Sequence, residues 1–355
     1  MLAKELPEGH GPAADVSTSG STSFPITIRT NALVGLSSNA CRWRGQRWNQ
    51  VDWTRDTVIR LGSTSAPLDH PFGEVKGLWG PPWASTRGTV WEINVHLSTD
   101  KALDFMNDHN CGYLITGAAP AHVFALEAVR LGLRPPRLHM VLAQGAAVGQ
   151  ADRDAVKRVF GAEIMETYSS KEGGQMAHPC ELGRLHINIE TCIVEVVDDH
   201  NQPVEEGTAG RVLVTPFFST AQPLIRYEQG DIARVGGQCP CGRRSPTLIA
   251  IEGRDSIFFT HPDGRRATSL LPEEGRQLLD CTFWQIAQVG PKDFEIRYVP
   301  HTWEKVGNEK ALSELFRRQY FSDANVILKR VPKIPLSPSG KYIEYRQEYD
   351  ATQRH

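Results

Sequence analysis

Two groups of residues carry side chains whose types and spacing fit a definite chemistry. The first is Cys180, His186, Cys239 and Cys241. Three thiolates and one imidazole make a closed tetrahedral zinc site, and closed coordination is structural rather than catalytic. His178 is an alternative ligand, and two unrelated buried cysteines beside a Cys-x-Cys turn are the competing reading. Cys41, Cys111, Cys192 and Cys281 read as inert buried thiols. The second group is the run Thr18-Ser19-Gly20-Ser21-Thr22-Ser23. Small residues let a backbone wrap a phosphate, and hydroxyls and N–H groups donate to its oxygens. No Gly-Lys-Ser/Thr closes the run, so it is not a Walker loop, and a plain Ser/Thr-rich linker has the same composition.

The elements that must position these groups follow from periodicity. Cys111–Thr116 is a short apolar run, followed by helical spacing over Ala121–Leu131 with Val123, Ala125, Leu126 and Val129 on one side. Leu138–Ala143 reads as a buried strand, Ala151–Phe160 as an amphipathic helix with Ala155, Val156, Val159 and Phe160 inward, and Ala162–Thr167 as another strand. Alternation of this kind predicts a mainly parallel sheet with helices on its faces. The runs Leu185–Ile189, Cys192–Val197, Gly210–Pro216 and Leu224–Val235, with turn residues between them, predict an antiparallel sheet or barrel. Beyond Arg254, strands at Thr282–Gln288 and Asp293–Val299, a helix at Glu304–Tyr320 and a strand at Asn325–Arg330 predict a small α+β lobe. The stretch Val331–Arg346 reads as a loop around Lys341.

The order of several short motifs carries a resemblance. Thr18–Ser23 is followed by Tyr168-Ser169-Ser170-Lys171-Glu172, then Arg226-Tyr227-Glu228-Gln229-Gly230-Asp231, then Glu252-Gly253-Arg254-Asp255, then Ser339-Gly340-Lys341. In this order they resemble the adenylate-forming enzymes. Pro223–Tyr227 before Gly-Asp and Cys239-Pro240-Cys241-Gly242-Arg243 before the Gly-Arg element are similar to the phenylacetate–CoA ligase branch. The resemblance implies an α/β fold with a large N-terminal domain over 1–253, containing mixed sheets and a β-rich subdomain. A small mobile α+β C-terminal domain over 254–355 would carry Lys341, and the N-terminus would be shortened relative to the family.

The implied reaction has two steps. A carboxylate attacks the α-phosphate of ATP, and a thiol such as coenzyme A then displaces AMP. The resemblance gives Thr18, Ser19, Gly20, Ser21 and Thr22 to the phosphates, Tyr168 to the adenine face, Gly145 and Ala146 alongside it, Asp231 to the ribose hydroxyls and Arg254 to ribose or phosphate. Glu172 would help hold Mg²⁺ and Lys341 would bridge the carboxylate and the α-phosphate. Two variations belong beside this. The acceptor can be an amine or a carrier-protein thiol. Alternatively the chain is a degenerate nucleotide-binding member without turnover, a reading motivated by Phe24 in the phosphate loop and Lys171 where Thr or Ser is usual. Trp43, Trp48, Trp53, Trp79 and Trp83 offer flat apolar walls for an aromatic acid, although core or subunit contacts account for them equally.

Composition bounds the rest. With 355 residues, 39 Lys+Arg against 41 Asp+Glu and a net charge of -2, the chain lacks the basic excess of a nucleic-acid-coating surface. No apolar run reaches the ~18 residues of a membrane span, and the first 20 residues lack the apolar core of a signal peptide, so a cytoplasmic location without membrane attachment is expected. A homodimer is a further expectation, from the surface a shortened N-terminus exposes.

Overall fold

In the parallel sheet the hydrophobic pattern is nearly continuous, because both of its faces are covered. The computed structural model describes residues 6–17, 27–54, 57–62, 72–75, 79–84, 89–94, 97–145, 148–254, 258–268, 271, 273–335 and 342–349. Its contacts divide the chain into two units, with the main division between Gly253 and Arg254. The segment Thr18–Ser23, Phe24, Ala146, Asp255 and Lys341 lie outside the described residues, and Arg254 is described only as the last backbone residue of its strand.

The first unit contains a six-stranded sheet in the order Phe72–Val75, Val90–Asn94, Thr57–Gly62, Cys111–Thr116, Met140–Ala143, Glu163–Glu166. Only the Phe72–Val75 edge strand is antiparallel to its neighbour. Cys111–Thr116 is buried along its whole length, as a central parallel strand should be. Helices Thr99–Asp108, Ala118–Arg130 and Gln150–Phe160 pack on one face. The last begins where Asp152 accepts from the Gly149 N–H at 2.9 Å and ends at Gly161, whose φ of 69° is open to glycine at little cost.

The Ala118–Arg130 helix corrects the expected apolar face. Val123 and Val129 are exposed, and the buried stripe is Ala118, Ala121, Ala125 and Ala128 with Phe124. Phe124 stacks on Phe160 of the neighbouring helix, 6.0 Å between ring centres. Small residues let the helix approach its neighbours closely, and that geometry outweighs the greater apolar area of valine.

A seven-stranded sheet follows, in the order Cys192–Val197, Ala209–Pro216, Tyr227–Gly236, Thr247–Arg254, Leu185–Ile187, Gly174–Pro179, Tyr168–Ser170. It is the antiparallel sheet the alternating runs predicted. A helix the periodicity did not disclose, Ala32–Trp48, packs on the Gly174–Pro179 strand. Gly45 is needed there: a Cβ at this position would lie 2.5 Å from the His178 ring.

The second unit has its own core around Trp284, Phe294, Tyr298 and Phe316. Its four-stranded sheet runs Asn325–Arg330, Asp293–Pro300, Cys281–Gln288, Tyr345–Gln347, with the helices Glu273–Leu279 and Glu309–Gln319. The second helix starts five residues later than expected, where Asn308 caps it by accepting from the Ala311 N–H at 3.1 Å. Tyr345–Gln347 is likewise a strand, parallel to Cys281–Gln288, where a loop was expected.

Candidate nucleotide site and metal cluster

Tyr168 emerges just past the carboxyl end of the Glu163–Glu166 strand and opens the strand Tyr168–Ser170. In open parallel sheets this edge is where ligands bind. The chain then turns over Lys171, Glu172 and Gly173, the turn being held by the Gly173 N–H donating to Ser170 Oγ at 2.8 Å. Gly174 pairs back onto Ser170 with a left-handed φ of 68°. Lys171 is exposed. Glu172 is buried at 8% exposure, with no hydrogen bond or ion pair to another described residue.

Asp231 lies on the strand Tyr227–Gly236, directly after Gly230 at φ 73°. The Tyr168 hydroxyl donates to Asp231 Oδ2 at 2.8 Å, and both residues are buried. Two residues 63 apart in sequence thus meet in one polar contact. Glu228 and Gln229, unusual before Gly-Asp, are occupied elsewhere. Arg211 donates to Glu228 at 2.6 Å and the Gln229 amide to Met176 Sδ at 2.8 Å. On the neighbouring parallel strand, Gln144 N–H donates to Thr116 O at 3.0 Å, and Gly145 follows in the left-handed region at φ 81°. A glycine there leaves the backbone bare for close approach of a ligand.

The four predicted zinc ligands converge: the ligand atoms of Cys180, His186, Cys239 and Cys241 all lie within 4.8 Å of one another. Cys180 Sγ is 3.7 Å from Cys239 Sγ, and Cys241 Sγ is 3.3 Å from His186 Nε2. Two thiolates bound tetrahedrally at about 2.3 Å would stand about 3.8 Å apart, so the spacing fits zinc. Tight turns at each pair bring them in, through Gly183 N–H to Cys180 O at 2.8 Å and Gly242 N–H to Cys239 O at 3.3 Å. His186 Nδ1 contacts Ser245 Oγ at 3.1 Å, which leaves Nε2 facing the thiols.

Electrostatics favour the ligating forms of His186 and Cys241 and oppose that of Cys239. Burial, then the Arg243 charge, lower the pKa of His186 and keep the imidazole neutral. Burial pushes the Cys239 thiol up. Burial acts the same way on Cys241, but donors from the Arg243 backbone and guanidinium outweigh it and hold that thiol low. His178, the alternative ligand, is not in the cluster. Its Nδ1 meets Asn188 at 3.1 Å and burial lowers its pKa to about 4.

The tryptophans divide. Trp53 and Trp79 are buried in a cluster with Val58, Val90 and Tyr113, against which Trp43 packs. Trp48 sets its edge to His186 at 5.9 Å, and the Arg243 guanidinium lies 4.5 Å from its ring centre. Trp83 is exposed but touches Trp43 edge-on at 5.6 Å.

No protein-family model matches the chain. It is 24% identical over 195 residues to Protein CapK of Staphylococcus aureus, covering 53% of this chain and 42% of that one. It is 30% identical over 142 residues to the phenylacetate-coenzyme A ligase of Thermus thermophilus, covering 38% of this chain and 32% of that one. Across nearly its whole length it has the fold of a 2-hydroxyisobutyryl-CoA ligase solved with its acyl-AMP after adenylation, at a TM-score of 0.66 and 18% identity, covering 97% of this chain and 75% of that one. The sequence is distantly related to the first two of these proteins, and the fold is that of the adenylate-forming enzymes. Its matches span less than half the length of those two curated relatives. Its fold is shared with acyl-CoA ligases, and its relation to CapK and the phenylacetate ligase is distant. Among the described residues no helix is long and apolar enough to cross a membrane.

Proposed function

We propose that this protein activates a carboxylic acid, aromatic in the first instance, as an acyl-adenylate at the expense of ATP and passes it to a thiol such as coenzyme A. The observation that carries this is the buried Tyr168–Asp231 contact at the carboxyl edge of the parallel sheet. It joins an aromatic ring suited to stacking on a base with a carboxylate suited to accepting from a vicinal diol. Gly145 opens the same edge after the strand beside Glu163–Glu166, and Glu172, a hard oxygen donor, would hold Mg²⁺ on the phosphates. Thr18–Thr22 would donate to the phosphates, Arg254 would pair with ribose or phosphate, and Lys341 from a domain beginning at 254 would neutralise the charge that develops as the carboxylate attacks. Related structures support the choice of thiol, since the 2-hydroxyisobutyryl-CoA ligase was also solved with acyl-AMP and coenzyme A.

Cys180, His186, Cys239 and Cys241 would hold a zinc ion whose role is to tie the strands of the seven-stranded sheet together, away from the reaction.

The test is acid-dependent ATP–pyrophosphate exchange with a panel of aryl and alkyl acids. Exchange with at least one acid is expected, and Lys341→Ala should lower it by about 100-fold or more. An alanine variant as active as wild type removes Lys341 from the mechanism, and ATP binding without exchange for any acid favours a nucleotide-binding protein without turnover.

A further inference from the structure

Helix Ala32–Trp48 carries a guanidinium for which the described residues supply no acceptor. Arg42 lies one turn before Gln46, on the helix face whose Gln46 side chain accepts from Trp53 Nε1 at 3.0 Å. Arg42 is partly buried and makes no hydrogen bond or ion pair with any described residue. The charge that acts on it is another cation: burial, then Arg60, lower its pKa. Arg60 has its own partner, Glu92 Oε1 at 2.8 Å, directly opposite it on the adjacent parallel strand.

Two further donors on this side of the sheet lack acceptors. The indole N–H groups of Trp43 and Trp79 are buried without a hydrogen-bond partner among the described residues. Both rings belong to the cluster around Val58, which shares a strand face with Arg60. Indole and guanidinium only donate. Among the described residues, Arg42 and these two indoles are therefore donors without acceptors. An unpaired, partly desolvated guanidinium is costly, and a carboxylate that meets its planar fork in a bidentate pair offsets that cost.

The position is informative as well. Arg60 pairs in register with Glu92 and Ile115 and lies in the carboxyl half of its own strand, toward the edge at which Gly145 and Tyr168 follow theirs. From the Thr57–Gly62 strand to the Glu163–Glu166 strand is three strand intervals, about 14 Å at the usual spacing.

We infer that the acid this protein activates carries a second anionic group, gripped by Arg42 at the far end of the pocket from the nucleotide. The inference rests on the adenylation reading above and adds a substrate class to it: an elongated diacid, with the reacting carboxyl toward Tyr168 and the other toward Arg42.

The experiment compares matched acids in ATP–pyrophosphate exchange: phenylacetate against 1,4-phenylenediacetate, and heptanoate against pimelate. Wild type should favour the diacid of each pair in kcat/KM by about tenfold or more. Arg42→Gln should collapse that ratio to about one, and Arg42→Lys, which keeps the charge without the fork, should give an intermediate ratio. A wild-type ratio near one, or a ratio unchanged in Arg42→Gln, overturns the inference. Circular dichroism establishes that the variants are folded, and Arg42→Lys serves if Arg42→Gln is not. Should no acid support exchange, the adenylation reading fails and the anion site is judged by melting temperature alone. A rise with 1,4-phenylenediacetate that needs Arg42 keeps the site, and no Arg42-dependent rise removes it.

Discussion

At the scale of single residues, the Tyr168–Asp231 contact ties together two groups that the proposed function assigns to the nucleotide. Each orients its partner, so under the proposed function the ring and the carboxylate would be held ready before a nucleotide arrives. Tyr168→Phe deletes one donor to a buried carboxylate. It should cost about 1–3 kcal/mol, read as a lower urea midpoint. In the same variant the KM for ATP in the exchange assay should rise by roughly tenfold, because a less constrained Asp231 meets the ribose less often in the right place. A variant with unchanged stability and unchanged KM would show that the contact does neither job. The Cys/His set was legible in the sequence because its donor types are few and metal ligands have narrow spacing rules. Arg42 was not legible, since an arginine without an acceptor looks the same on paper as one with an acceptor.

At the scale of elements, legibility followed apolar periodicity. Cys111–Thr116 and Asn325–Arg330 fall where the sequence put them, because burial imposes the pattern that periodicity reads. The Ala32–Trp48 helix has only Cys41, Gly45 and Gln46 fully buried and carries polar residues around its circumference, so no stripe announces it. The alanine face of Ala118–Arg130 was missed for the related reason that close packing, unlike hydrophobicity, leaves no mark at single positions. Gly45 is where the undisclosed helix becomes indispensable. Gly45→Ala would drive a methyl into the His178 ring and should cost about 1–3 kcal/mol, seen as a lower thermal midpoint. In an exposed helix the same change would stabilise, so the sign of the effect tests whether the helix packs there.

At the scale of the whole molecule, each unit has its own core and its own electrostatic anchor. In the first unit the proposed anchor is the Cys180, His186, Cys239, Cys241 cluster with zinc bound. In the second it is His261, buried between Asp263 at 2.8 Å and Asp323 at 3.0 Å, with Lys292 on the far side of Asp323 at 2.6 Å. The Lys292 ammonium and then the His261 ring hold the Asp323 carboxyl down to about 2, and the Arg265 backbone N–H with the same ring holds Asp263 down to about 2. The unfolded carboxyls bind protons at about 3.9, so between there and pH 2 the unfolded chain takes up more protons than the folded one. Their contribution is complete above about pH 4 and is lost as the pH falls toward 2. Calorimetry should therefore resolve two transitions that respond separately: a zinc chelator at neutral pH lowers one, and acid between pH 4 and 2, compared with Asp323→Asn, reveals the other. A single transition that both treatments move together would contradict this.

The seven-stranded sheet closes late along the chain. Thr247–Arg254 occupies a place between Tyr227–Gly236 and Leu185–Ile187, so the last strand made fills a gap between strands made earlier. On the ribosome, every nascent chain too short to release residue 254 must hold two half-sheets with raw edges facing each other. Until then the four clustered Cys and His residues belong to separate fragments, and whatever shields those edges during synthesis governs how much of this protein reaches its finished form.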